Sequence, residues 1–556
     1  MQSPERAGER TASRLAKEYW PLGVLLLLMA AAFLLRLYYL DKHTEYTADS
    51  YYFLILARSI RDTFTYTVRG VAHAKYLPGF PIFIWLGSYL FGGIGRSANA
   101  IALIGATLTV PVTYLLGKEL FNKWAGLLAA LVVALQPTFL KWTVLPMTEG
   151  LFTFLFSLGA YLVLTGCKRA SPARRITGAV AGGLCLLTRW EGVLFLPLAV
   201  LIVILYFREA RIKWWEVPVL LVAFAGPIGV YVIRNEITTG RFSAYANEFS
   251  QNSKLSFALL KHRFKVYMWQ GMSDSFFYVF FYIGAITCLA LRKWKAFLIV
   301  GGWFALFVVF HMFWYYTYER FMAPAAPAVA LFIGFLFYEM WVGVRAALGP
   351  GGLMMSRMGP ARGASAGGEH EMGPKHTAGA KSHNARVLSA VLQIAGYTVV
   401  ALLLAGLLAH GLVRANTVIA QDYKAFADDH GGRGMAQAAQ WLEQNAPGEA
   451  VAVDAGPYFD WLYNGDVLYV RPVPWDLPVE DRDVDGPNIA GNIYDRGIRY
   501  LVIGQTEAGV DAELATVAFR PEDKARLREV ARWVNHYDYP EPHDLTTVIF
   551  EVLPPS

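Results

Sequence analysis

Long apolar blocks separated by short basic or aromatic connections fill the first 413 residues of the chain. Crossing a bilayer takes about 20 helical apolar residues, and about eleven blocks meet or approach that length. They lie near 20–40, 97–117, 125–139, 149–166, 175–188, 192–207, 217–234, 275–291, 296–313, 322–344 and 388–413. The pattern predicts a mainly α polytopic membrane helix bundle over residues 20–413. Arg6, Arg10, Arg14 and Lys17 stand before the first block, which is too long for a signal h-region and lacks a cleavage site, so residues 1–19 read as a cytoplasmic N-terminus before a retained first span. From 414 to 556 the pattern turns soluble. There "GMAQAAQWLEQNAPGEAVAVDA" reads as helix then strand, "NIYDRGIRYLVIG" repeats that order, "EDKARLREVARWV" reads as a helix and "LTTVIFEVL" as a last strand. These elements predict a small C-terminal α/β domain without a GxGxxG or phosphate-loop pattern.

Charge orients the bundle. Lys118 and Lys123, the run Lys168 to Arg175, Arg208 to Lys213, Arg292 to Lys295 and the basic segment from Arg345 to Arg386 all fall on one side, the cytoplasmic one by the positive-inside rule. The C-terminal domain is then extracytoplasmic. The first external loop, 41–96, is rich in aromatic and apolar residues; its amphipathic run after Asp49 and its short segment Phe80 to Phe91 read as interfacial helices. Residues 346–386, rich in Gly, Ala, Met and His, read as a disordered cytoplasmic loop. Its His370, His376 and His383 read as solvated loop histidines before metal ligands.

Composition narrows the class further. Hydrophobic residues make up 55% and charged residues 17%, too little charge to wet the surface of a soluble protein this long. The formal charge of +7 is spread over membrane loops and does not point to nucleic acid. Cys167, Cys185 and Cys288 lie in or beside apolar blocks at spacings unsuited to zinc or a disulfide framework. Asp481, Asp483 and Asp485 form a DxDxD run in a Pro-rich loop and read as a solvated acidic loop before a metal site.

Ionisable residues at a membrane face are costly and usually functional. Four places on the external side carry them. In "EYTADSYYFLILARSI", Asp49 is either a general base for an acceptor hydroxyl or a helix N-cap, and Tyr51 follows it. In "AKYLPGFPIFIWL", Lys75 precedes Tyr76 and a Leu-Pro-Gly turn, and is either a phosphate ligand or a snorkelling lysine. In "LKWTVLPMTEG" and "LTRWEG", Glu149, Arg189 and Glu191 either contact phosphate and sugar or neutralise one another across a helix hairpin. In "HMFWYYTYERFMAPAAP", Arg320 follows Tyr318 and Glu319; a guanidinium suits phosphate, and aromatic faces suit sugars or an interfacial belt.

The order of these features resembles the GT-C superfamily of polyprenyl-phosphate-dependent glycosyltransferases, most nearly the bacterial branch related to protein O-mannosyltransferases and the lipid A aminoarabinose transferase. The stretches that carry it are "TADSYYFLILARSI", "KYLPGFPIFIWLGSYLFGG", "LGKELFNKWAGLLAALVVALQPTFL", "LTRWEG" and "YERFMAPAAP". The resemblance implies a polyprenyl-phosphate-linked sugar as donor, Asp49 as catalytic base, and Lys75, Arg320 and Arg189 at the donor phosphate. Tyr51, Tyr76, Glu149, Glu191, Tyr318 and Glu319 would then line the substrate. Many relatives carry a second acidic residue directly after the loop aspartate, whereas this chain has Ser50, so no metal ligand set and no certain cofactor is indicated. Membrane lipids surround the bundle, and the acceptor (glycan, lipid or protein) is left open. A polytopic transporter or flippase of lipid-linked or polar substrates is the alternative.

Overall fold

The computed structural model describes residues 4–40, 46–68, 70–241, 243, 256–270, 275–314, 317–348, 376–430, 432–454, 458–463, 467–469, 489–506, 524–537 and 543–554. Its bundle opens with α1 (Pro4–Leu40), followed by α2 (Ala48–Thr63), the short hairpin β1 (Thr67–Val68) and β2 (Val71–Ala72), and α3 (Gly79–Phe91). There follow α4 (Ile94–Leu120), α5 (Lys123–Leu135), α6 (Pro137–Thr143), α7 (Glu149–Lys168), α8 (Pro172–Thr188), α9 (Phe195–Leu205), α10 (Phe207–Ala210) and α11 (Glu216–Thr239). The remainder of the bundle is α12 (Phe257–Lys265), α13 (Ser275–Ala290), α14 (Trp294–Met312), α15 (Ala326–Leu348) and α16 (His376–His430).

Among the described residues, seven helices are long and apolar enough to cross a membrane, or eight if the bent pair α5–α6 is one span. The other predicted spans coincide with shorter helices: α8, the stretch Trp190–Leu205, and α13 from Phe276. The core runs through this bundle, with α15 buried from Ala326 to Phe337 and α11 and α16 largely turned outward.

Three sequence expectations change here. The predicted span 125–139 breaks at Gln136, because Pro137 has no N–H to continue the helix and its ring clashes with the preceding turn. The chain bends by 55° and runs on as α6, whose seven residues are all buried. The segment 346–386 is not loop throughout: α15 ends at Leu348 and α16 begins at His376. Residues 349–375, with His370, lie outside the described residues, as do the side chains of His376 and His383. In the tail, the segment read as a helix around Leu527 is the strand β6 (Leu527–Tyr537).

The tail forms a five-stranded sheet from β3 (Val451–Asp454), β4 (Val467–Tyr469), β5 (Tyr500–Thr506), β6 and β7 (His543–Val552), in the order β4-β3-β5-β7-β6. β3 pairs parallel to β4 and β5, while β7 runs antiparallel to β5 and β6. Helix α17 (Gly432–Asn445) and the short α18 (Tyr458–Leu462) bring residues to the core on one face of the sheet. On the other, α19 (Ile489–Asp495) covers Leu501, Ile503 and Val548. Leu527, Val530, Ala531 and Val534 fit a helical period as well as a strand. The ladder to β7, with a bulge between Glu529 and Ala531, decides for the strand.

Arg36 of α1 explains how the break at Gln136 is tolerated. The last carbonyls of a helix lack intrahelical donors, and Ala134 O accepts from Arg36 Nη1 at 3.3 Å. Arg36 Nε donates to Thr143 Oγ1 of α6 at 3.1 Å, and the guanidinium lies 5.3 Å from the centre of the Phe139 ring. One fully buried arginine therefore ties both arms of the bend to α1. Arg36→Met is expected to destabilise the protein by about 1–3 kcal/mol by leaving these acceptors unpaired. Thermal unfolding in nanodiscs reads the loss, and an unchanged midpoint would remove Arg36 from this role.

At one end of the bundle the predicted basic loops meet. Lys168 Nζ donates to Glu119 Oε2 at 2.9 Å, and Arg169 also reaches Glu119. Arg175 Nε donates to Glu216 Oε2 at 2.8 Å, and Lys295 Nζ to Glu209 Oε1 at 2.9 Å. The four candidate stretches gather at the other end.

Candidate active site

Asp49 stands in the first turn of α2, and Thr47, not Asp49, is the N-cap. Thr47 Oγ1 accepts from Ser50 N at 3.2 Å and lies 2.9 Å from Ser50 Oγ. The capping that could have occupied Asp49 is thus done by its neighbours, and Ser50 is part of that cap. The Asp49 carboxylate turns instead to two donors. Tyr76 Oη donates to Oδ1 at 2.6 Å, and Arg320 Nη2 lies 2.8 Å from Oδ2. The two charged side chains are 25% and 20% exposed, so the pair is largely enclosed yet reachable from solvent.

Lys75 is buried, with Nζ 5.6 Å from the centre of the Tyr76 ring. Burial alone would raise the Asp49 carboxyl, but the Arg320 charge, the Tyr76 and Arg320 hydrogen bonds and the Lys75 charge outweigh it and hold the group below its ordinary range.

The Pro-Gly turn after Lys75 has a packing reason. A Cβ at Gly79 would stand 2.6 Å from Leu187 O and 2.8 Å from Thr188 N, so only glycine lets α3 start against the end of α8. The next residue after that end is Arg189. Its fork donates from Nη2 to Glu191 Oε1 at 2.7 Å and from Nη1 to Thr148 Oγ1 at 3.1 Å, and Nη1 also reaches Glu149 Oε1 at 2.5 Å. His311 Nε2 lies 3.5 Å from Glu191 Oε1, and its ring stacks on Phe321. Glu149 is held close to α4 because a Cβ at Gly105 would meet Gly150 C at 2.7 Å. The three charges therefore form the hairpin pairing that was one of the two sequence readings.

Arg320 sits on the 3-10 turn Glu319–Ala325, with the Trp142, Tyr318 and Phe321 rings each within 6 Å of its guanidinium carbon. Its Nε is buried and has no acceptor among the described residues. Glu319 pairs with Lys141 of α6, Nζ to Oε1 at 2.8 Å. Tyr318 is half exposed beside this cluster.

The structure thus brings Asp49, Lys75, Tyr76 and Arg320 into one group, with Glu149, Arg189 and Glu191 as a second group beside it. Tyr51 is packed in the core against Tyr46, 5.8 Å between ring centres. Sequence reasoning passed over Lys141, whose signal was a lone charge inside an apolar stretch. It also passed over His73, which carried no signal. Asp481, Asp483 and Asp485 lie outside the described residues. Among the described residues no group of three or more His, Cys, Asp and Glu is placed to hold a metal ion.

His73 is buried between aromatic rings, and its Nε2 accepts from Tyr76 N at 3.0 Å. Burial, with the charges of Lys75 and Arg234, pulls it down to about 3. A histidine held neutral in the fold but free to charge when unfolded makes stability fall as pH drops below about 6.5. Acidification from pH 6.5 to 5 should therefore remove about 2 kcal/mol that a His73→Gln variant does not lose. Thermal midpoints of both proteins across that range test this, and parallel curves would refute it.

In this arrangement a polytopic bundle sets one first-loop carboxylate against Lys75 of the same loop and Arg320 from the distant turn Glu319–Ala325. Residues 72–232 match the family described as dolichyl-phosphate-mannose-protein mannosyltransferase. The fold is similar to that of ArnT from Cupriavidus metallidurans, with a TM-score of 0.62 and 16% identity over 96% of this chain and 99% of that one. ArnT bound to undecaprenyl phosphate gives a TM-score of 0.61 at 15% identity, with 96% and 99% covered. The oligosaccharyltransferase of Archaeoglobus fulgidus gives 0.52 at 13% identity, covering 87% of this chain and 70% of that one. A sequence comparison with curated proteins gives no match. The family match thus covers residues 72–232, and the likeness of fold to ArnT runs over nearly the whole length of the chain.

Proposed function

We propose that the protein transfers a sugar from a polyprenyl-phosphate donor to a hydroxyl acceptor at the external face of the membrane, with inversion at the anomeric carbon. The observation that carries this reading is the Asp49 carboxylate held by Tyr76 and Arg320 at the end of the bundle opposite the basic loops. Undecaprenyl phosphate bound to a protein of the same fold supports the donor class.

In this reading the acceptor oxygen attacks C1 of the sugar while Asp49 takes its proton. The bond from C1 to the phosphate oxygen breaks, and the charge that develops on the departing polyprenyl phosphate is met by Arg320 and Lys75. A phosphate leaves without being protonated, so one carboxylate suffices where a glycosidase needs two. The buried Arg320 Nε is a donor that a phosphate oxygen would satisfy. A phosphate drawn to Arg320 also competes for the guanidinium that lowers Asp49, so donor binding makes the carboxylate a better base. Glu149, Arg189 and Glu191 act beside the site as an ion-paired block that fixes the helix ends, and Tyr318 and Glu319 border the sugar side.

The test is release of label from radiolabelled polyprenyl-phosphate sugars by the protein in nanodiscs, which needs no known acceptor because slow transfer to water is counted. Release that requires Asp49 supports the reading. No release with any such donor, together with no thermal protection by these lipids, would sink it.

A further inference from the structure

We propose that Tyr231 and Arg234 of α11 are positioning residues that grip the first-loop hairpin and thereby set the Tyr76 hydroxyl on Asp49. The inference rests on the transferase reading for its kinetic part and on geometry alone for its structural part.

Most of α11 faces outward, and beyond Glu216 at its start the buried residues Phe224, Ile228, Tyr231 and Asn235 form one stripe at helical spacing. The far end of that stripe meets the hairpin. Arg234 Nη2 donates to Tyr66 O at 2.7 Å and Nη1 to His73 O at 2.7 Å, so one planar fork bridges the carbonyls that flank β1 and β2. The same two residues are joined by His73 N donating to Tyr66 O at 3.0 Å. Tyr231 Oη donates to Tyr76 O at 2.9 Å, and Tyr66 Oη donates to the same oxygen at 2.9 Å. The Tyr76 N–H is taken by His73 Nε2. Both backbone polar groups of Tyr76 are thereby fixed before its side chain is considered.

What remains of Tyr76 is the phenol, which ends 2.6 Å from Asp49 Oδ1. Two residues of a helix whose other face is exposed thus determine, through the backbone of Tyr76 and the hairpin, where a hydroxyl beside the candidate base stands. The leading groups that act on Asp49 are Arg320, Tyr76 and Lys75, and α11 is linked to it through Tyr76 and the hairpin. A misplacement of about 1 Å in such a constellation costs on the order of 100-fold in rate.

The experiment uses the full chain in nanodiscs with Arg234→Met, Arg234→Lys and Tyr231→Phe, each alone and combined with Tyr76→Phe. Amide exchange of residues 66–76 is expected to rise in all three single variants. Turnover is expected to fall about 10- to 100-fold, mostly in kcat, and the acid limb of the pH profile should move up as Asp49 loses a hydrogen bond. In the Tyr76→Phe background the kinetic loss should largely vanish. Unchanged exchange at 66–76 would overturn the proposal, and so would additive losses with Tyr76→Phe or lowered thermal stability with an unmoved acid limb. If the wild type transfers no sugar, the transferase reading fails while the exchange data still decide the grip. Should Arg234→Met not fold, Tyr231→Phe removes a single hydroxyl and carries the same outcomes.

Discussion

Asp49→Asn is expected to lower sugar transfer about 100- to 10,000-fold, the range seen when a general base is removed. The substitution keeps the size of the side chain and an oxygen for the Tyr76 hydroxyl, so the loop should stay in place. It removes the negative partner of Arg320, which stands 2.8 Å away, and leaves that guanidinium more available to the donor phosphate. The two consequences separate in the kinetics: kcat should collapse while the donor KM holds or falls. Initial rates at several donor concentrations, with a thermal midpoint as a folding control, make the comparison. A variant that turns over within threefold of wild type would move the base elsewhere, with Glu149 as the next carboxylate.

Arg320→Lys carries the second largest effect. Lysine keeps the charge but not the fork, and removal of one preorganised donor from a developing anion costs about 100- to 1,000-fold. Here the donor KM should rise with the fall in kcat, the opposite of the Asp49 variant. The pH profile supplies an independent sign. Burial pushes the Asp49 carboxyl up, and the Arg320 charge leads the effects that pull it down, followed by the Tyr76 and Arg320 hydrogen bonds. Lysine keeps the charge but weakens the hydrogen bond, which raises the carboxyl toward its ordinary range, so the acid limb of kcat/KM should shift to higher pH and activity at pH 5 should fall further than at pH 7. A variant with normal donor KM and an unmoved limb would take Arg320 out of both roles.

Several features needed no structure. The positions of the membrane helices follow from apolar block length, because a bilayer admits only a narrow range of spans. The Leu-Pro-Gly turn, the Asp49 helix and the Tyr-Glu-Arg stretch at 318–320 were legible because charges and turn residues interrupt apolar sequence, where they are conspicuous. Positive loops sorted the four stretches onto one face, and the contact of Asp49 with Arg320 agrees with that sorting. The break at Gln136 was written in Gln-Pro but was overridden by the hydrophobicity around it. In the tail, Leu527 to Tyr537 fits two periods, and its pairing with β7 decided between them.

Sequence by itself determined that this chain is a membrane bundle with one soluble sheet domain and which charged residues stand at one end of it. Only the tertiary structure decided their partners. Asp49 and Arg320 are 271 positions apart and Tyr76 and Tyr231 are 155 apart, and no local spacing encodes such pairs. It likewise took the fold to give capping to Thr47 and Ser50, the hairpin pairing to Arg189, and the grip on the first loop to Arg234. Local sequence sets helix, turn and burial preferences, whereas the partner of a buried charge is fixed by which helices pack together.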